Sequence, residues 1–210
     1  SRGLGDVYKR QVGFSDVTML HMALGRLGIE SLHATMPGKF RFGADEKPEA
    51  IVSDESLRSA LFGRWTRIDA AAHPLNVSGT ARGRLAGGNL SLLCSAIGTP
   101  EQPDFDTPMV LFIEEIGEQM YRLDRMMQQL ERSGILAKCK AVLVGHFTDM
   151  LGQKHFGVWD PCDIIAAYVR PLGIPVVFGI PAGHEDPNVA LYMGREVAVT
   201  VNDAGASVEF

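Results

Sequence analysis

Residues 109–134 read MVLFIEEIGEQMYRLDRMMQQLERSG, and the fold class follows from this stretch. Met109-Val110-Leu111-Phe112-Ile113 is an unbroken apolar run, the mark of a strand buried on both faces. Behind it, Met120, Leu123, Met127 and Leu130 recur at helical spacing. Residues 118–133 are therefore expected to form a helix with one apolar stripe, ended by Gly134. A second apolar run at 141–144 reads as another buried strand. Strands alternating with helices make an α/β protein.

The same alternation extends in both directions. Val12-Gly13-Phe14-Ser15-Asp16 reads as the end of a strand turning into a helix over 16–27. Val17, Leu20, Ala23, Leu24 and Leu27 share one face of that helix, Asp16 suits its start and Gly28 its stop. Residues 38–50 form a polar loop, and 53–61 a short helix capped by Ser53 or Asp54. At 73–80 the composition shifts to Pro, Asn, Ser and Gly, the best domain boundary. It divides residues 12–78, part of an N-terminal domain, from 79–210, a C-terminal α/β domain. Beyond it lie a strand at 82–86, a turn at Gly87-Gly88-Asn89 and a helix at 90–97. A helix at 164–169, a strand at 176–178 and a hairpin of 195–201 with 206–210 complete the chain. Residues 1–11, SRGLGDVYKRQ, have no apolar periodicity and no signal-peptide core. They resemble translated adapter sequence and are read as a non-native leader. Native sequence then starts at Val12 inside a motif, so the expectation is a truncated chain.

With 210 residues, 46% of them hydrophobic, the chain can bury a sizeable core. Twenty Lys and Arg against 25 Asp and Glu give a net charge of −5, with no basic run. This balance argues against a nucleic-acid or anionic-membrane surface. No apolar stretch approaches the roughly 18–20 residues of a spanning helix. Cys94, Cys139 and Cys162 form no C-x-x-C pair, so they read as buried thiols of a reducing, cytoplasmic compartment.

Three segments carry polar groups suited to chemistry. Ser15 sits at a strand-to-helix turn, where a hydroxyl is exposed and the backbone N–H of Asp16 can face an oxyanion. It can equally be a helix cap. Glu114-Glu115 follows the apolar run directly, at a strand end where functional groups gather, or where an acid pairs with Arg122 or Arg125. His184, in a Gly/Pro-rich loop after the 176–178 strand, suits a general base or is a solvated loop histidine. Together Ser15, Glu114 and His184 supply a nucleophile, an orienting acid and a base, and triads are recognised by geometry rather than chain order. His146, Asp149 and His155 match no metal-ligand spacing, so no metal is expected. Gly87-Gly88-Asn89 is too short for a nucleotide fingerprint, leaving Asn89 as a candidate pocket residue. His33 touches substrate or belongs to a loop.

Taken in order, GFSDVT, LHATMP, RLAGGNLSLL, LFIEEIGEQMYRLDRMMQQLERSGIL, VLVGHFTDM and GIPAGHEDPNVALYMG resemble the LD-carboxypeptidase family of serine peptidases. The match runs from Val12 to Val201, and the EEIGEQMYRLDR form resembles the murein tetrapeptide carboxypeptidase branch. The resemblance implies the remainder of a Rossmann-like N-terminal domain carrying Ser15 as nucleophile. A smaller C-terminal α/β domain would carry Glu114 as acid and His184 as base. It implies no cofactor, a homodimer, and a cytoplasmic role in cell-wall recycling. The implied substrate is the muropeptide L-Ala-γ-D-Glu-meso-diaminopimelate-D-Ala, from which D-alanine is released. Family members have a further stretch before the serine, including a glycine-rich turn that completes the oxyanion hole, so a chain lacking it is expected to be poorly active. The rival expectations are a microcin-immunity-type peptidase, with Trp65 or Trp159 facing a nucleotide, and a non-catalytic muropeptide-binding module or inactive fragment.

Overall fold

β5 (Met109–Ile116) is buried along its whole length except Ile116, and the architecture is built outward from it. The computed structural model describes residues 11–40, 47–104, 107–152 and 160–210. β5 pairs in parallel with β4 (Gly79–Asn89) on one side and β6 (Cys139–Thr148) on the other, and β6 pairs in parallel with β7 (Val176–Phe178). β9 (Glu196–Asn202), β10 (Gly205–Glu209) and β3 (Arg67–Ala71) extend the opposite edge antiparallel, giving the order β3-β10-β9-β4-β5-β6-β7.

Side chains alternate across the sheet with the period of two that a strand imposes. Met109, Leu111 and Ile113 pack beneath α3 (Leu90–Ala96), α4 (Met120–Arg132), α5 (Ile135–Lys138) and α6 (Pro161–Val169). Val110 and Phe112 face the other way, into a core with Leu143, Val177, Val189 and Leu191. Of the expected α4 stripe, Leu123, Met127 and Leu130 are buried, and Met120, at the helix start, is half-buried against the same core. Burial also pushes the thiols of Cys94, Cys139 and Cys162 up to about 12, and all three are free.

A second, three-stranded sheet holds β1 (Val12–Gly13), β2 (Ser31–His33) and β8 (Leu191–Met193) in the order β1-β2-β8. Against it packs α2 (Pro48–Leu61), whose Leu57 and Ala60 meet Leu32, Ala190 and Tyr192. The two sheets exchange chain: β3 lies before the boundary at 73–80 yet edges the large sheet, and β8 lies after it yet completes the small one.

Several elements differ from their expected form. α1 (Thr18–Arg26) is preceded by a 3-10 turn, Ser15–Val17, and buries Thr18, His21 and Met22. Leu20 and Leu27, expected inside, are half or more exposed. The buried face is chosen by hydrogen bonds of Thr18 and His21 to neighbouring strands rather than by leucine periodicity. α2 begins at Pro48, a residue that suits the first helical position, so Ser53 and Asp54 lie inside the helix and do not cap it. Gly87-Gly88-Asn89 is not a turn but the end of β4, and Asn89 caps α3 by accepting from the Leu92 N–H. β5 continues through Glu114 and Glu115, which therefore lie within the strand.

Gly87 shows why glycine is needed in a strand here. Its φ is +116°, and an added Cβ would sit 2.1 Å from the backbone oxygen of Phe112. Because that atom belongs to the paired strand, it cannot step aside. Gly87→Ala is expected to destabilise the fold by roughly 3 kcal/mol or more in urea unfolding. A loss below about 1 kcal/mol would contradict this register of β4 on β5.

Candidate active site

The site is assembled at the carboxyl ends of β1, β5 and β7. After Gly13 the chain passes through extended Phe14 to Ser15, whose φ is +60°. A left-handed serine is strained, and such turns hold a hydroxyl out from the backbone. The turn is fixed from inside. His21 Nε2 lies 3.0 Å from the Gly13 carbonyl oxygen, and Nδ1 lies 2.8 Å from Ser31 Oγ. A carbonyl only accepts, so Nε2 carries the proton and the Ser31 hydroxyl donates to Nδ1. Burial pulls the His21 pKa down to about 4, against the opposing pull of the Gly13 carbonyl, and the ring is neutral. Gly13 admits no side chain, because a Cβ would meet Val17 Cγ2 at 2.6 Å.

His184 arrives from the loop after β7. Its Nε2 is 3.0 Å from Ser15 Oγ and its Nδ1 is 2.7 Å from Glu114 Oε2. Its ring meets Phe14 edge-on at a centroid distance of 5.0 Å. Glu114 is 0% exposed. Burial pushes its carboxyl upward, and the hydrogen bond and charge of His184 pull it back. With Nδ1–H donated to the carboxylate, Nε2 is left to accept from the serine hydroxyl. This order of hydroxyl, imidazole and carboxylate can activate an oxygen nucleophile.

The adjacent carboxylate does different work. Glu115 accepts from Asn89 Nδ2 at 2.7 Å, from the Ser91 N–H at 2.8 Å and from the Ile116 N–H at 2.9 Å. Among the described residues neither acid pairs with arginine: Arg122 bonds Glu118 and Arg125 lies over the Tyr121 ring. Asn89 is spent within the protein, since its Oδ1 also accepts from Ser91 Oγ and the Leu92 N–H. His33 is the last residue of β2 and 0% exposed, packed against Phe14, His21 and Phe112. The Asp16 N–H lies in the first helical turn, where no intrahelical carbonyl reaches it and negative charge is favoured.

His146 is part-buried on β6 beside Gly183, and burial lowers its pKa. Asp149 is exposed, and His155 lies outside the described residues. Among the described residues no group of three or more His, Cys, Asp or Glu is arranged to hold a metal ion. Nor is any described helix long and apolar enough to cross a membrane. The indole N–H of Trp65 donates to the Ala190 carbonyl and its ring packs against the core, while Trp159 lies outside the described residues. Sequence reasoning missed His21 and Asn188 and read Ser53 only as a helix cap, yet these three hold the turns carrying Ser15 and His184. A histidine on the first turns after Ser15 was a usable signal for His21; nothing local marked the partner of Ser53.

Comparison with known proteins bears on this arrangement. The profile of the LD-carboxypeptidase C-terminal domain matches residues 82–199. A protein of Bacillus subtilis named as a probable murein peptide carboxypeptidase is 32% identical over 198 residues, covering 94% of this chain and 61% of that protein. The murein tetrapeptide carboxypeptidase of Pseudomonas aeruginosa is 27% identical over 198 residues, covering 91% of this chain and 62% of that one. The crystal structure of a muramoyltetrapeptide carboxypeptidase from Oxalobacter formigenes superposes with a TM-score of 0.84 at 31% identity, covering 95% of this chain and 67% of that chain. The microcin C7 self-immunity protein MccF shares the fold, with a TM-score of 0.78 at 20% identity over 97% of this chain and 68% of that chain.

The neutrality of His21 has a consequence for stability. The unfolded chain protonates this histidine near pH 6.5, while the folded chain resists until about pH 4. Between those values the unfolded state binds the extra proton, so stability falls as pH is lowered from 6.5 toward 4. His33, whose pKa burial also depresses, acts in the same direction. The His21 share is on the order of 3 kcal/mol. Urea unfolding at pH 7 and pH 4.5 should show this loss, and His21→Gln should flatten it. An unchanged pH dependence in that variant would refute a neutral, buried His21.

Proposed function

The chain belongs to the LD-carboxypeptidase family, and on that premise we propose that it is a serine carboxypeptidase. It cuts an L,D-amide bond and releases the terminal D-alanine of a murein tetrapeptide. The observation that carries this reading is the continuous path from Ser15 Oγ through His184 to Glu114, at 3.0 and 2.7 Å. The names of the relatives from Pseudomonas aeruginosa and Oxalobacter formigenes support the substrate class. The chain spans about 61–62% of the length of those curated relatives from Bacillus subtilis and Pseudomonas aeruginosa.

In this reading Ser15 Oγ attacks the carbonyl of the diaminopimelate L-centre while His184 Nε2 takes the hydroxyl proton. Glu114 holds the ring in the tautomer that leaves Nε2 free and stabilises the imidazolium. The negative oxygen of the tetrahedral intermediate is met by the Asp16 N–H at the start of the helical segment. His184 then gives its proton to the departing amine of D-alanine, and water, deprotonated by the same ring, frees Ser15 from the acyl group. A homodimer acting in the cytoplasm belongs to the same proposal and rests on the family resemblance.

Incubation with murein tetrapeptide, with free D-alanine followed over time, tests the proposal beside a Ser15→Ala control. D-alanine release that drops by roughly 10⁴-fold or more in the control is expected. Release that persists in Ser15→Ala would sink it, as would a folded protein that releases none when joined to the N-terminal stretch the family resemblance implies.

A further inference from the structure

The loop that presents His184 is closed on itself and then fastened to a helix that takes no part in the relay. The Val189 N–H donates to the Pro181 carbonyl at 2.9 Å, and the Gly183 N–H donates to Asn188 Oδ1 at 3.1 Å. Residues 181–189 are thereby drawn into a ring around His184. The Asn188 N–H in turn donates to Ser53 Oγ, in the middle of α2, at 2.8 Å. The Ser53 hydroxyl has acceptors in Asp186 Oδ1 and the Glu49 carbonyl, each at 3.1 Å. Ser53 and Asn188 are both buried.

Such anchoring is needed because the backbone leading into His184 is permissive. Gly179 and Gly183 have φ of +80° and +140°, conformations that leave the chain without side-chain restraint. His184 must meet Ser15 and Glu114 at the same time, and a displacement of about 1 Å in such an arrangement costs on the order of 10²-fold in rate. Inside a helix, serine has no advantage of its own and competes with the backbone. Its worth at position 53 lies in the Asn188 N–H that it receives. We propose that Ser53, acting through Asn188, is a positioning residue that sets the place of the His184 ring. This rests on the reading of Ser15, His184 and Glu114 as the acyl-transfer centre.

Ser56, one turn further along α2, provides the internal comparison. Its hydroxyl accepts from the Ala190 N–H at 3.0 Å, so it ties the same helix to the same stretch of chain without reaching the His184 ring. The experiment compares Ser53→Ala, Ser53→Thr and Ser56→Ala in the full chain. Its readouts are kcat and KM for D-alanine release, thermal stability, and the proton NMR resonance of the Nδ1–H shared by His184 and Glu114. That last readout needs no substrate. Both alanine variants should lower Tm by similar amounts. Only Ser53→Ala should also lower kcat by about 10- to 10²-fold at unchanged KM and broaden or abolish the Nδ1 resonance. Ser53→Thr, which keeps the hydroxyl, should restore both. Should Ser53→Ala fail to fold, Ser53→Cys fills the same space with a poor acceptor and should give the same changes. A wild-type kcat and resonance in Ser53→Ala or Ser53→Cys would overturn the proposal, as would identical effects from Ser56→Ala. If the unsubstituted protein releases no D-alanine even when joined to the N-terminal stretch the family resemblance implies, the functional reading fails, and the resonance alone then decides the role of Ser53.

Discussion

Everything at the site turns on one hydrogen bond, the 2.7 Å contact between His184 Nδ1 and Glu114 Oε2. A carboxylate cut off from solvent is costly unless a donor reaches it, and Glu114 has no exposure at all. Meeting that demand brings the loop after β7 back over the end of β5. With Nδ1 engaged, Nε2 is the nitrogen left for Ser15, and the left-handed serine is presented to it by a turn held from behind by His21. The buried acid, the loop and the strained turn form one constraint met at three places.

Neighbouring carboxylates on one strand serve different ends because successive side chains point to opposite faces. Glu114 shares its face with Phe112 and Val110 and looks toward His184. Glu115 looks toward α3, where Asn89 and two backbone N–H groups satisfy it. The strand thus carries the carboxylate that meets His184 and, one residue on, the clamp that fixes the start of α3 against β5. A shift of register by one residue would exchange the two carboxylates and disable both.

The sequence made the large sheet legible because parallel, doubly covered strands are written as continuous apolar runs, as in MVLFI. Ser15, Glu114 and His184 stand out because each follows a strand-like run in the sequence, at the end where functional groups gather. The failures share a cause in contacts between residues distant in sequence. Gly87 and Gly88 suggested a turn, yet what requires glycine there is the approach of Phe112 and Thr18, which lie far along the chain. His33 read as a loop residue because β2 is only three residues long, and its burial depends on β1 and β8 closing around it. Leu20 and Leu27 suggested the wrong face of α1, since Thr18 and His21 have polar partners on β4, β1 and β2 that no periodicity records. Ser53 was legible only as a cap, for its partner Asn188 is 135 residues away.

The central claim is that Ser15 is an activated nucleophile, and covalent labelling addresses it without any choice of peptide. A fluorophosphonate reacts with a serine oxygen whose proton a neighbouring base removes. After exposure of the protein to such a reagent, peptide mass spectrometry locates the adduct. The account requires the adduct on Ser15 and its disappearance in His184→Ala. Labelling of Ser15 at an equal rate in that variant, or no adduct on Ser15 in the folded protein, would contradict it.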